Sequence, residues 1–177
     1  MTRLIAIAGK DGSGKSTFAG KLATRLGDAY VCAVATGLRE HCISEGYLTR
    51  QQAYAKPTSQ ETRNVLRNIS KEAKVKYGTK LIWLNKLLLK MRGFLQVCPV
   101  IVHDVRYLHE AETLLSLGAE LIYLGGCELS AEECGMPSFA DLPALYELAK
   151  FKLPEKPDDK YIAMVYNSII ETRLHHE

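Results

Sequence analysis

The sequence predicts an α/β fold in which a mostly parallel five-stranded sheet is covered by helices on both faces, giving three layers, α/β/α. Short apolar runs alternate with stretches of helical periodicity, as in successive βαβ units. The run at residues 97–102 is continuous rather than alternating, which is typical of a central strand. A glycine-rich turn joins the first run, residues 4–8, to a helical pattern. We therefore treat residues 1–177 as one domain of this class.

The order of strands and helices follows from these patterns. Strands are predicted at residues 4–8, 30–35, 97–102, 120–124 and 161–166, and helical patterns at 16–26, 36–54, 59–77, 81–94, 108–117 and 144–151. Thr58 and Glu61 form a predicted capping box at the start of the helix at 59–77. Residues 36–95 are interpreted as a helical substrate-binding insert. Residues 127–160, which hold most of the prolines and no strand signal, are interpreted as a lid-like segment.

Composition and charge restrict the classes of partner. The formal charge of +3 is small, and the basic residues are interleaved with acidic ones along the chain, so we expect no nucleic acid partner. No apolar run approaches the roughly twenty residues of a membrane span, so we expect no membrane partner and a cytoplasmic location. The five cysteines are odd in number and include no Cys-x-x-Cys pair, which argues against disulfides and zinc sites.

Residues 9–16 match the pattern G-x-x-x-x-G-K-[ST] between a predicted strand and a helix N-terminus. Backbone N–H groups in such a loop converge on phosphate oxygens, and the helix dipole favours anionic charge there. Lys15 is expected to bridge the β- and γ-phosphates of ATP, and Ser16 to ligate Mg²⁺. The donor-binding residues predicted from this motif are Gly9, Lys10, Asp11, Gly12, Ser13, Gly14, Lys15, Ser16 and Thr17. The sequence therefore predicts a P-loop NTPase-type fold that uses ATP and Mg²⁺.

A second candidate site follows the apolar run at 97–102. Asp104 closes that run, and in a doubly wound sheet the strand end would lie beside the phosphate loop. Arg106 places an opposite charge two residues further on. We predict that Asp104 and Arg106 act together with Lys15 and Asp11 in catalysis.

A third candidate site is the cationic face of the helix at 59–77. Arg63, Arg67, Lys71 and Lys74 recur at three- and four-residue spacing, opposite an apolar face. Because a guanidinium can grip phosphate bidentately, two arginines one turn apart could hold the monophosphate of an acceptor. We assign this role to Arg63 and Arg67, and interpret Lys71 and Lys74 as a solvated surface.

Three segments together resemble bacteriophage deoxynucleoside monophosphate kinases. They are residues 9–17, the pattern Thr58-x(4)-Arg63-x-x-Leu66 leading to Ile82-Trp83, and the pattern Val102-x-Asp104-Val-Arg106-x-x-x-Glu110 followed by Gly118. The resemblance covers about two thirds of the chain. It implies γ-phosphoryl transfer from ATP to a deoxynucleoside monophosphate, in the cytoplasm of the host cell if the protein is phage-encoded. It also implies that Arg63 contacts the acceptor phosphate and that Trp83 is the aromatic residue ending the substrate helices.

Two features depart from this family. Asp11 makes the loop similar to that of thymidylate kinases, in which an acidic residue at that point faces the substrate, so its role stays open between the acceptor, metal-bound waters and loop capping. A lid arginine usually follows the strand at 120–124, but here the chain reads Leu124-Gly-Gly-Cys127. Lys150, Lys152 or Lys156 could supply the charge, or catalysis could be weakened.

Other interpretations stay open at this point. One is a kinase for another phosphorylated small molecule, and another is a nucleotide-dependent switch that hydrolyses slowly. Residues 155–158 resemble a guanine-specificity motif. They have glutamate where that motif has an amide side chain, and they follow no apparent strand, so we interpret the resemblance as coincidence. A homodimer through the apolar helix at 81–94 is one alternative for the oligomeric state. The accepted base and sugar do not follow from the sequence.

Overall fold

A computed structural model describes residues 3–27, 29–128 and 140–174. The chain divides into two compact units: a sheet unit, formed by Met1–Cys32 and Arg92–Glu177, and a helical unit, Ala33–Met91. The lid-like segment predicted at 127–160 lies partly outside the described residues, because it includes 129–139. No helix in the described ranges is both long enough and apolar enough to cross a bilayer.

The sheet unit is built around a five-stranded sheet in the order β2-β3-β1-β4-β5. The strands are β1 Leu4–Gly9, β2 Tyr30–Ala33, β3 Val100–Val105, β4 Glu120–Leu124 and β5 Phe151–Leu153. Strand β1 pairs in parallel with β3 on one side and with β4 on the other, and β4 pairs in parallel with β5. The carboxyl ends of β1 and β3 therefore lie side by side, where an open parallel sheet binds its ligands.

Helices cover both faces of this sheet. They are α1 Lys15–Leu26, α6 Leu108–Ser116, α7 Leu142–Leu148 and α8 Asp159–Leu174. Helices α1 and α8 contact each other, and their apolar residues join Ile5 and Ile7 of β1 in one buried cluster. Helices α6 and α7 contact each other and also β1 and β4, which places them over the face that carries Ala6 and Ala8. The predicted three-layer α/β/α class with a mostly parallel five-stranded sheet is confirmed.

One predicted strand is wrong, and two others differ from the structure in their bounds. Residues 161–166 lie in helix α8, whose buried residues Ile162, Val165 and Ile169 recur at helical spacing. The fifth strand is instead β5, which lies in the segment where no strand was predicted. The second strand ends at Ala33, and Val34 already begins a helix. The strand predicted at residues 97–102 corresponds to β3, which starts at Val100 and continues through Val105.

The helical unit contains α2 Val34–Ser44, α3 Arg50–Tyr54, α4 Gln60–Tyr77 and most of α5 Ile82–Phe94. The helices predicted at 59–77 and 81–94 are confirmed within one residue. The predicted capping box is wrong, because Ser59 rather than Thr58 caps α4 and accepts the Thr62 N–H at 3.2 Å. A true capping box starts α3, between Thr49 and Gln52.

Gly9, at the end of β1, cannot accept a side chain without local rearrangement. Its φ is +137°, and an added Cβ would overlap the backbone carbonyl oxygen of Leu124. We expect Gly9→Ala to lower the free energy of unfolding by about 2 kcal/mol or more, since both strain and a backbone clash contribute. The matched control is Gly12→Ala, where φ is +82° but nothing lies within 4 Å, and the expected loss is about 1 kcal/mol. Urea denaturation measures both, and equal losses would contradict the assigned contact.

Candidate functional site

The loop between β1 and α1 has the backbone geometry of an anion cradle. Gly12 and Gly14 both adopt positive φ, at +82° and +90°, and Gly14 is the N-cap residue of α1. This lets the chain curl so that N–H groups at the start of the helix face the loop. The Nζ of Lys15 donates to the backbone oxygen of Gly9 at 2.7 Å and to that of Lys10. The lysine therefore folds back across its own loop.

The side chains of this loop fit a polyphosphate. Ser13 is buried, and its Oγ has no hydrogen-bond partner among the described residues. Lys15 is 7% exposed, and burial lowers its pKa, while the carboxylates of Asp104 and Asp11 oppose that shift. A bound phosphate would favour the charged ammonium and give the Ser13 hydroxyl an acceptor. Ser16 is exposed at the first turn of α1, where a hydroxyl can ligate Mg²⁺.

Asp104 lies at an irregularity in strand β3. The pairing of β1 with β3 shifts register between Ile7 and Ala8, which face His103 and Val105, so Asp104 is the extra residue of a bulge. Its φ is +72°, a conformation that residues other than glycine rarely adopt. Such outliers persist where the surrounding structure holds them, often at functional sites. The Asp104 carboxylate lies within electrostatic range of Lys15, in the loop that follows β1.

Arg106 joins Asp104 to the phosphate loop. Its Nε donates to Asp104 Oδ1 at 2.7 Å, and its Nη2 lies 3.0 Å from Asp11 Oδ1. Burial works against the charged guanidinium, but the two carboxylates more than offset it, so the pKa of Arg106 lies above its ordinary value. The four residues predicted to be catalytic are therefore brought together, with Lys15 within electrostatic range of the other three.

Glu110 fixes the backbone that carries this arginine. Its Oε2 accepts the N–H of Arg106 at 3.0 Å and that of Tyr107 at 3.2 Å. The side chain is 7% exposed and belongs to the first turn of α6, where negative charge is also favoured by the helix dipole. Glu110 appeared in the sequence only as part of a family pattern, and the structure gives it a positioning role.

The segment after β5 packs directly against the phosphate loop. The N–H of Lys156 donates to Ser13 O at 2.9 Å, and a Cβ added to Gly14 would lie 3.2 Å from the Cα of Lys156. Lys156 and Pro157 line a cavity of about 410 Å³ together with Gly12, Gly14, Thr17, Phe18 and Lys21.

The expectation that residues 155–158 follow no strand is wrong, because β5 ends at Leu153. Asp158 caps α8, since its Oδ1 accepts the N–H of Lys160 at 3.0 Å.

The three lysines considered as replacements for a lid arginine differ in their surroundings. Lys150 pairs with Glu120 at 2.7 Å, and Lys152 lies 3.6 Å from Glu147 and over the ring of Tyr146. Of the three, only Lys156 lines the cavity beside the phosphate loop. This proximity could not be predicted from the sequence, because it depends on where β5 lies in the sheet.

The remaining predicted site residues belong to the helical unit. Arg63 and Arg67 are exposed on α4, and the Nε of Arg63 donates to Thr58 O at 3.2 Å. Trp83 is 6% exposed, and its indole N–H donates to Ser70 Oγ at 3.1 Å. Contact of these three residues with an acceptor stays a prediction.

Neither metal-binding clusters nor disulfides are found in the part of the chain that the structure describes. No group of three or more His, Cys, Asp or Glu side chains there could hold a metal ion. Cys32, Cys42, Cys98 and Cys127 are free thiols, and burial raises the pKa of Cys32 to about 12. Cys134 lies outside the described residues.

The chain was compared with protein-family models, with curated proteins and with solved structures, and it is similar to some of the solved structures. No protein-family model matches the chain, and no curated protein matches it. The chain is similar to a shikimate kinase from Aquifex aeolicus vf5, with 17% identity, a TM-score of 0.48, and coverage of 97% of this chain and 98% of that chain. It is also similar to shikimate kinase from Acinetobacter baumannii in complex with shikimate, with 15% identity, a TM-score of 0.48, and coverage of 100% and 96%.

Proposed function

We infer that this chain is a kinase that transfers the γ-phosphoryl group of ATP to a deoxynucleoside monophosphate. The observation that carries this proposal is the cluster of Lys15, Asp11, Asp104 and Arg106 at the adjoining ends of β1 and β3. Phosphoryl transfer depends mainly on positioning and on cations around the phosphoryl oxygens. The cluster contains two cationic side chains: Lys15, which belongs to the loop between β1 and α1, and Arg106, which pairs with both carboxylates.

Each part of the site has a proposed task. The loop N–H groups and Lys15 would hold the β- and γ-phosphates, and the cavity beside Lys156 and Pro157 has room for the nucleoside end of the donor. Ser16 would hold Mg²⁺, which would supply positive charge to offset that of the phosphates when bound. Asp104 would orient water around the metal, and Arg106 would contact the acceptor phosphate. Lys156 would stand in for the lid arginine as a point charge.

The identity of the acceptor comes from the family resemblance rather than from the sheet unit. Arg63 and Arg67, separated by one turn of α4, are proposed to grip its monophosphate. Residues 36–95 would then act as the substrate-binding insert, and residues 127–160 as the lid that excludes water.

An enzyme-coupled assay of ADP release tests the reaction class and the acceptor together. The panel contains the deoxynucleoside and ribonucleoside monophosphates, with other phosphorylated small molecules as a separate arm, each with and without Mg²⁺. We expect Mg²⁺-dependent ADP release with at least one deoxynucleoside monophosphate. Release only with acceptors outside the nucleotides, or only slow release without any acceptor, would reject the proposed function.

Replacing Arg63 with alanine should raise the KM for the monophosphate far more than the KM for ATP, because only the acceptor loses a bidentate contact. Arg63→Lys should recover part of the loss, since it keeps the charge but not the planar fork. Lys80→Ala is the control, because Lys80 is exposed in the same unit and has no assigned role. Initial-rate kinetics with each substrate varied in turn give both constants, and equal increases in both would reject the acceptor role.

A further inference from the structure

The helical unit carries the excess positive charge of the chain. Ala33–Met91 contains 11 Lys and Arg residues against 4 Asp and Glu, whereas the rest of the chain contains 12 against 16. The total of +3 therefore combines a helical unit of +7 with a sheet unit of −4. The expectation that basic and acidic residues are interleaved is wrong at the level of the two units. Charge asymmetry of this kind points to a polyanionic partner for the basic unit.

Much of this charge forms one face of α4. Arg63, Arg67, Lys71 and Lys74 follow one another at three- and four-residue spacing, and we call this face the α4 cationic surface. The helix also carries Glu61 and Glu72, but their positions fall outside this face. Arg63, Arg67 and Lys71 are exposed. These three residues therefore present a row of like charges to solvent.

Two of the four acidic groups of the same unit are engaged elsewhere. Glu40 pairs with Arg50 at 3.0 Å and accepts a hydrogen bond from Tyr54, and Glu45 lies 4.0 Å from His41. Over the described ranges, no ion pair joins an acidic side chain to Arg67 or Lys71. The positive potential of the α4 cationic surface is thus not neutralised at these two positions by the protein itself.

The α4 cationic surface is too long for one phosphate group to contact all of its basic residues. From Arg63 to Lys74 the helix rises by about 16 Å at 1.5 Å per residue. A mononucleotide carries one phosphate, which one or two neighbouring cations satisfy. Successive basic residues are about 5 to 6 Å apart along the helix, so a chain of regularly spaced phosphates would engage all of them. The geometry fits a nucleic acid strand better than a second mononucleotide.

Groups suited to contact with bases border the same surface. A depression of about 490 Å³ is lined by Asn68, Lys71, Glu72, Val75 and Lys76. Val75 is 79% exposed, and Tyr77 at the end of α4 is 57% exposed. An exposed tyrosine offers a stacking surface, and an asparagine amide can bond to base edges. Unstacked bases of a single strand can stack on the tyrosine ring, whereas the paired and stacked bases of a duplex cannot.

We propose that the α4 cationic surface, with Tyr77 and the adjoining depression, is a binding site for single-stranded nucleic acid. Backbone phosphates lie along the row of basic residues, and bases contact Tyr77 and the depression. The site shares Arg63 and Arg67 with the proposed acceptor-binding residues, whereas Lys71, Tyr77 and the depression have no assigned role in phosphoryl transfer. A protein with Lys15→Ala should bind the strand as well as the unaltered protein does.

Fluorescence anisotropy with a labelled single-stranded oligothymidylate tests the proposal. The test variant is Lys71→Glu/Lys76→Glu, because neither lysine has a role in phosphoryl transfer. The control is Lys80→Glu/Lys90→Glu, which makes the same change in charge at exposed positions of the same unit. We expect the test variant to weaken binding by about tenfold or more and to lower the salt slope by about 1 to 2, with a change below about threefold for the control. Circular dichroism confirms that both variants are folded.

A third variant, Tyr77→Ala, separates stacking from charge. It should weaken the oligonucleotide complex by about fivefold or more, while leaving the affinity for heparin unchanged. No binding at 50 mM salt, or equal losses in the two double variants, would overturn the proposal. Tighter binding to vesicles of anionic phospholipid than to the oligonucleotide would also overturn it, in favour of a membrane surface.

Discussion

Replacing Lys15 with alanine is expected to lower turnover by about 10²-fold or more, as for the loss of one preorganised electrostatic contact. Lys15 is buried in the phosphate loop, with its Nζ 2.7 Å from Gly9 O. Without it, charge developing on the transferring phosphoryl group would face the carboxylates of Asp11 and Asp104 with less compensation. The measurement is kcat in the ADP-release assay with the best acceptor.

The control for this variant is Lys160→Ala. Lys160 is exposed at the start of α8, and no role in phosphoryl transfer is assigned to it. Its turnover should stay within about twofold of the unaltered protein, as for surface substitutions away from a site. Unchanged turnover in Lys15→Ala, in a protein shown to be folded, would reject the phosphate loop as the donor site.

Replacing Arg106 with alanine should lower kcat/KM for the acceptor by about 10²- to 10³-fold. The guanidinium lies between Asp104 and Asp11, at 2.7 Å and 3.0 Å. Its removal leaves two carboxylates without their shared partner at the place proposed for an anionic acceptor. The expected loss therefore combines a missing attraction with a new repulsion.

Arg106→Lys provides the matched comparison for this site. A lysine keeps the charge, but its single ammonium cannot reproduce the fork that reaches both carboxylates at once. We expect a kcat/KM between those of Arg106→Ala and the unaltered protein. A loss of kcat/KM for ATP that equals or exceeds the loss for the acceptor would show that Arg106 does not act preferentially on the acceptor, which would contradict the proposed role.

The sequence predicted those parts of the structure that depend on local patterns. The phosphate loop is set by glycines at fixed spacing between an apolar run and a helix start, and β4 and α4 follow from periodicity alone. Residues 161–166 were misassigned because a short apolar run does not distinguish a strand from a buried helix segment. The next buried residue at helical spacing, Ile169, lies beyond that run.

Features that depend on the pairing of distant strands could not be predicted. Strand β5 has three residues and follows β4 at the end of the strand order, so its local signal was too short. The bulge at Asp104 depends on the register between β1 and β3, and the approach of Lys156 to Gly14 depends on the position of β5. The two ion pairs of Arg106 follow from the same register. The opposite net charges of the two units could be counted only once the boundaries of the helical unit, Ala33 and Met91, were known.

Titration calorimetry with a non-hydrolysable ATP analogue and Mg²⁺ tests the central claim, which is that the loop between β1 and α1 binds a nucleoside triphosphate. We predict one site per chain in the unaltered protein and an affinity at least tenfold weaker in Lys15→Ala, with unchanged affinity in Lys160→Ala. Absence of binding by adenine and guanine nucleotides in the presence of Mg²⁺, or equal affinities in all three proteins, would contradict the account.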